Sequence, residues 1–262
     1  MTLRTIIAAA ALLAAGLLAA EPGATTRPAA TAPAADPACM KILRRLEAAG
    51  RKFPRIAAAV QYRVDMLQAG DREDRAGKVY YQAAEGGRPA MFRIHFDTLQ
   101  QDGGPRMKNV VDYAFDGTWL TVRKERLKQL TRYRVPAQTD PVQLGKGPFP
   151  VPFGQKARTV LERFSASTRP PRASDPPKSD YLKLLTRKAY RRELKLKWVE
   201  MWVERGRDLP VKIVAEDRSE NRSTVVFTKI ETPAKFPDKT FTLPDPPRGW
   251  DVRVERFQGR VK

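Results

Sequence analysis

Val110-Val111-Asp112-Tyr113-Ala114-Phe115-Asp116-Gly117-Thr118-Trp119-Leu120-Thr121-Val122 is the stretch that decides the fold. Val111, Tyr113 and Phe115 alternate with Asp112, Ala114 and Asp116, and the alternation restarts after Asp116-Gly117. Asp-Gly between two alternating runs is a hairpin signal, because a tight primed turn needs a positive φ and glycine adopts it at no steric cost. A charged bend at Lys124-Glu125-Arg126 leads to a third run, Leu130 to Val135, so the middle of the chain reads as an antiparallel meander.

Upstream, Ile56, Ala58, Val60, Tyr62, Val64 and Met66 keep a strict period of two, with Arg55, Gln61, Arg63 and Asp65 on the other face. That is a half-buried strand. Gly70 to Glu73 is expected to turn the chain into a strand at Lys78 to Gln82. Phe92, Ile94 and Phe96 then alternate with Met91, Arg93 and His95, which puts His95 on the polar face and exposed. Before these strands, Asp36-Pro37 gives an N-cap followed by proline at the first helical position. Met40, Leu43 and Leu46 form one helical stripe with Ile42 beside it, and Gly50 is the expected stop. With no partner helix nearby, this helix is expected to lie across a sheet.

Pro141 to Gly154 carries many prolines around Leu144, Phe149, Val151 and Phe153, which suits a loop packed over the core or over an apolar opening. Gln155 to Phe164 reads as a short helix with Val160, Leu161 and Phe164 inward, and Ser165 to Lys178 as an exposed excursion. Strands resume at Tyr181 to Leu185. Between Leu194 and Val203 large apolar residues occupy both alternating sets, so the inward face stays open. Leu209 to Val214 and Thr224 to Ile230 follow, then an extended piece through Phe236, Phe241 and Leu243. Roughly ten hairpin-spaced strands and few helices imply a mainly β, α+β fold. The expectation is a single curved antiparallel sheet forming an unclosed half-barrel with a helical lid. Few helices on so wide a sheet leave apolar surface for a ligand.

Composition limits the chemistry. The 262 residues contain one Cys, Cys39, and one His, His95, so an internal disulfide is excluded and a zinc site of the usual kind is not expected. Asp112 and Asp116 have no identifiable acid/base partner in the sequence, and no catalytic residue, cofactor or metal is expected. Residues 1–20 carry Arg4 and an Ala/Leu/Ile run ending at Ala20, which reads as a secretory signal peptide. Residues 21–36 are an Ala/Pro/Thr tether, and 37–262 form the folded domain. Cys39, preceded by Asp36-Pro37-Ala38, does not suit a lipid-anchored cysteine. The formal charge of +20 suits anionic headgroups or other polyanions, while export argues against nucleic acid.

Several stretches resemble the LolA-like outer-membrane lipoprotein carriers, the lipoprotein-sorting family that includes LolB and LppX. These are the helix leading into Phe53–Met66, Arg88-Pro89 before Met91-Phe92-Arg93, and Tyr113-x-Phe115-Asp116-Gly117-x-Trp119. Val199-x-Met201-Trp202-Val203 with Leu209-Pro210, and the closing Asp238-x-x-Phe241-x-Leu243-Pro244-x-Pro246-Pro247-x-Gly249-Trp250-x-Val252, complete the set. The resemblance implies a non-catalytic, soluble, monomeric periplasmic carrier that binds acyl chains of a lipoprotein or lipid on the concave face of the sheet. It implies inner- and outer-membrane partner proteins, and it matches Arg88 to an arginine that holds the lid and responds to ligand. On this reading Val60, Tyr62, Val64, Phe92, Ile94, Phe96, Tyr113 and Phe115 line the acyl site. The alternative is an exported basic β protein that binds polyanions or anionic surfaces and has no lipid cavity.

Overall fold

A computed structural model describes residues 36–136, 156–192 and 194–256, the side chains of Asp238 and Arg256 excepted. The expected signal peptide, nearly all of the tether and the proline-rich loop 141–154 lie outside the described residues.

The Asp116-Gly117 hairpin forms between β4 (Met107–Phe115) and β5 (Trp119–Lys124). Gly117 takes a φ of +99°, and the Asp116 N–H donates to the Trp119 carbonyl at 3.2 Å. The Asp116 carboxylate accepts the N–H groups of Thr118 and Trp119, each at 2.8 Å, so the turn is closed by side chain as well as backbone. An added Cβ at Gly117 would lie 2.4 Å from Pro89 Cγ. The Arg88-Pro89 and Asp116-Gly117 motifs are therefore packed against each other.

Around this hairpin the chain builds one sheet of twelve strands in the order β12-β6-β5-β4-β3-β2-β1-β11-β10-β9-β8-β7. The remaining strands are β1 (Arg55–Met66), β2 (Asp71–Gln82), β3 (Met91–Gln101), β6 (Gln129–Arg134), β7 (Phe164–Ser167), β8 (Ser179–Thr186), β9 (Leu196–Glu204), β10 (Pro210–Asp217), β11 (Asn221–Glu231) and β12 (Asp251–Arg256). The edge strands β12 and β7 are not paired with each other, so the curved sheet stays unclosed.

Two features of the sheet, one boundary and one pairing, differ from the sequence reading. β2 begins at Asp71, where a turn through Glu73 was expected. The charged run extends as strand because it is matched across the ladder: Arg72 pairs with Asp65 at 2.7 Å and Asp74 with Arg63 at 2.8 Å. The sheet is also not wholly antiparallel, because β12 runs parallel to β6. The segment 232–250 supplies the crossover that a parallel pair requires, carrying the chain from the end of β11 to the far edge of the sheet.

That segment belts the outer face. Ala234 N–H donates to the Arg55 carbonyl at 2.9 Å. Phe236 meets Tyr80 and Phe241 edge-on at 5.7 and 5.5 Å, and Arg123 stacks on Trp250 at 4.8 Å. Phe241 and Leu243 are buried by this route, which explains why the closing motif is rich in aromatics and prolines: it is a fitted strap rather than a central strand.

Helix α1 (Pro37–Lys52) starts as expected, with the Asp36 carboxylate accepting the Ala38 N–H at 2.9 Å. It runs past Gly50 for two residues, ending where the Phe53 N–H caps the Ala49 carbonyl at 2.9 Å. Cys39, Ile42 and Leu43 are buried in the main core, and Met40 and Leu46 pack against it. The thiol of Cys39 is 0% exposed, in keeping with an inert core residue. Helix α2 (Ala157–Arg163) is short and packs Val160 and Leu161 on the same core, with Phe164 buried at the start of β7.

The two apolar sets of β9 go to opposite faces. Val199, Met201 and Val203 point to the main core, whereas Trp202 joins Tyr181 and Val214 in a second cluster with Trp198 packed beside it. The excursion 165–178 is not simply exposed. Its Asp175 accepts the Trp202 indole N–H at 2.7 Å and both outer nitrogens of Arg169 at 2.7 and 2.9 Å. Arg169 in turn lies over the Tyr181 ring at 3.8 Å.

Candidate functional site

Register places the expected acyl-site residues on one face. Ile94 stands opposite Tyr113, Phe92 opposite Phe115, and Tyr62 is in contact with Phe96, with ring centroids 5.7 Å apart. Val60, Tyr62, Phe92, Ile94, Phe96 and Phe115 are buried in one apolar cluster with Ile42 and Leu43 of α1, and Val64 and Tyr113 pack against it. The same face continues through Val225 and Phe227, Ile213 and Ala215, then Val199, Met201 and Val203, to Leu182 and Leu184. These second-half residues were missing from the sequence-based site. Their period of two is present, but the doubly apolar β9 hid which set pointed inward.

Gly77 fits this face to its neighbours. It stands opposite both Val60 and Phe96, and a Cβ there would lie 1.8 Å from the His95 carbonyl oxygen. The close approach occurs where the β2–β3 register shifts between Ala76 and Gly77.

The cover over this face is fastened by charge. Arg45 of α1 donates from Nε to Asp208 at 2.8 Å and from Nη1 to Asp180 at 2.6 Å. Asp180 also accepts from Arg205 at 2.7 Å. Burial alone would raise the Asp180 pKa, but the hydrogen bonds from Arg45 and Arg205 hold it below the ordinary carboxylate range. Arg88 stands exposed in the turn between β2 and β3, where its backbone pairs with Glu85, and makes no ion pair among the described residues. Nothing in the local sequence of Arg45 marks it, since its partners are 135 and 163 residues away.

On the outer face His95 is half-buried rather than exposed. Its Nδ1 is 2.8 Å from Asp112 and its Nε2 is 2.9 Å from Asp97. Asp112 is only 3% exposed and also accepts from Arg93 at 2.8 Å. The hydrogen bond to Asp112 raises the His95 pKa. Burial pushes Asp112 up, but the His95 bond and the Arg93 charge outweigh it and the net shift is down. So Asp112 does have a histidine partner, which the sequence did not show. Both ring nitrogens of His95 are engaged by carboxylates, which leaves neither free to take a proton from a nucleophile in this arrangement.

At the tips of the β1–β2 and β3–β4 hairpins lies an open pocket of about 420 Å³. Its lining mixes apolar Met66 and Leu67 with charged groups: Arg72 binds Asp65 through its side chain and Asp102 through its backbone N–H at 2.6 Å. Among the described residues no group of three or more His, Cys, Asp or Glu could hold a metal ion, and no helix is long and apolar enough to cross a membrane.

No family model matches the chain, and no curated protein matches it. Among solved structures, an uncharacterized conserved protein from Thermus thermophilus aligns at TM-score 0.48 with 12% identity, covering 83% of this chain and 99% of its own. The lipoprotein LppX from Mycobacterium tuberculosis aligns at TM-score 0.42 with 12% identity, covering 77% and 99%. A domain from Vibrio parahaemolyticus described as belonging to outer-membrane lipoprotein sorting aligns at TM-score 0.40 with 10% identity, covering 78% and 96%.

Proposed function

We propose that this chain is a non-catalytic carrier that holds the acyl chains of a lipoprotein or lipid on the inner face of the sheet. Val60, Tyr62, Val64, Phe92, Ile94, Phe96, Tyr113 and Phe115 are the acyl-contacting set. The observation that carries this reading is the combination of a continuous apolar sheet face with a helical cover fastened at its edge by ion pairs. Apolar packing alone favours permanent closure; a cover held partly by exchangeable ionic contacts can be lifted at modest cost. We assign the lid-holding part to Arg45, with Arg88 as a second, ligand-responsive position. In this reading residues 1–20 direct export to the periplasm, residues 21–36 are a tether, and the carrier works as a monomer. It meets lipid-donating and lipid-accepting partners at the two membranes, and its positive charge favours anionic membrane surfaces over nucleic acid.

The test is mass spectrometry of organic extracts from the purified exported protein. Co-purified acyl lipid in stoichiometric amount is the expected result. Lipid-free protein that binds no acyl probe, yet binds polyanions with steep salt dependence, would replace the carrier with the basic polyanion binder.

A further inference from the structure

The inner face changes character along its length. In the row Ile56, Tyr81, Phe92, Phe115 and Leu120, every opposed residue is aliphatic or aromatic. Further along β1, Tyr62 stands opposite Arg75, which stands opposite Leu99; next, Val64 stands opposite Glu73. A guanidinium and a carboxylate thus share a face with these apolar rows. Sequence reading put Glu73 at the end of a turn, so neither residue entered the expected site.

Arg75 Nη2 donates to Glu73 Oε2 at 3.3 Å. Nη1 is buried and has no hydrogen-bond partner among the described residues. The side chain is 18% exposed, and the charges of Arg75 and Glu73 are felt at both the Tyr62 and the Tyr113 phenols. A buried donor without an acceptor is costly, and native structures contain few of them. The position therefore calls for an acceptor from outside the chain. Glu73 already offsets the guanidinium charge, and a second anion at Nη1 would meet that carboxylate. A neutral carbonyl would not. An esterified or amidated acyl chain carries such a carbonyl at the end of its apolar tail.

We propose that Arg75 Nη1 recognises the neutral ester or amide carbonyl at the head of a bound acyl chain, whose tail lies along the inner face toward the Ile56 row. This rests on the acyl-carrier reading and specifies its ligand: a conjugated acyl group, not a free fatty acid.

The test uses the full exported chain and three probes that compete with an apolar fluorescent dye: methyl palmitate, hexadecane and sodium palmitate. Methyl palmitate is expected to bind about tenfold more tightly than hexadecane, the worth of one hydrogen bond from a charged donor. Palmitate is expected to gain nothing over the ester. Arg75→Met should erase the ester preference and return the infrared stretch of a ¹³C-labelled ester carbonyl to its value in hydrocarbon. Glu73→Gln, which leaves Arg75 uncompensated, should reverse the order in favour of palmitate. This second variant carries the test if Arg75→Met does not fold. Equal binding of ester and hydrocarbon, with no change in Arg75→Met, would overturn the recognition site and leave the carrier standing. So would an unchanged probe order in Glu73→Gln. Failure of the wild-type chain to bind any of the three would overturn both.

Discussion

Arg45 of α1 and Asp208 of the turn between β9 and β10 are 163 residues apart in sequence, and their side chains meet at 2.8 Å. With Asp180 the contact becomes a three-residue bridge between the helix and the sheet, at side chains 19% to 29% exposed. Exposure of that order limits the contribution to global stability to about 1 kcal/mol. The contact acts instead on the local opening of α1, alongside the apolar attachment made by Cys39, Ile42, Leu43 and Ala49.

Arg45→Gln is accordingly expected to lower Tm by only a few degrees while speeding amide exchange selectively in residues 37–52. Hydrogen exchange followed by mass spectrometry reads this directly. Arg88→Leu is the comparison variant: a matching change in α1 exchange would give Arg88 an equal part in holding the helix. Uniform protection of α1 in Arg45→Gln would remove the ionic fastening from the account.

Stability should depend on pH through His95. Its pKa is raised above the ordinary value of about 6.5 by the hydrogen bond to Asp112, with Asp97 adding to it. The native state therefore binds the imidazole proton more tightly than the unfolded chain does. This stabilisation is full below about pH 6.5 and is lost as pH rises through the raised folded value. The cationic side chains placed near His95 are Arg93, which shares Asp112, and Lys78, opposite His95 on β2. Denaturant unfolding at pH 5.5 and 8.5 should show the loss, and His95→Gln should flatten it. Asp112→Asn should cost about 2–4 kcal/mol at either pH, because it strips the partner from Arg93 and His95 together.

Asp175→Asn should free the segment 168–178 from the outer face. The carboxylate is held far below its ordinary range, first by Arg169, and it also accepts the Trp202 indole N–H at 2.7 Å. Weakening these contacts would admit water to Trp202, so tryptophan emission is expected to shift to the red with the fold retained. Proteolytic nicking within 168–178 should rise in parallel. Unchanged emission and unchanged nicking would show that the segment is held by other means.

Gly77→Ala should destabilise the chain by about 2 kcal/mol or more, since a methyl group there meets backbone rather than a movable side chain. Gly70→Ala is the contrasting case. Unlike Gly77 it has a positive φ, +76°, and open space around it, so its cost is limited to conformational strain of about 1 kcal/mol. Urea unfolding of the two variants distinguishes a packing requirement from a turn requirement.

Sequence by itself determined the local elements whose cause is local. The alternation of Ile56 to Met66, the Asp116-Gly117 turn and the Asp36-Pro37 helix start each follow from backbone preference or side-chain period, and the structure forms all three. The inner-face set on β1, β3 and β4 was legible for the same reason: one alternating set on each strand was clearly the more apolar. Only the tertiary structure decided the rest. The inward face of β9 was set by which residues found cover, since Val199, Met201 and Val203 met the main core while Asp175 and Arg169 closed over the other side. The strand at Asp71–Arg75 depended on charges supplied by β1, and the burial of His95 on Asp112 of β4. Arg45 had no sequence signal, because its partners are brought to it by the completed sheet. Local periodicity fixes which residues share a face of a strand; ion pairing and burial between distant segments fix what that face meets.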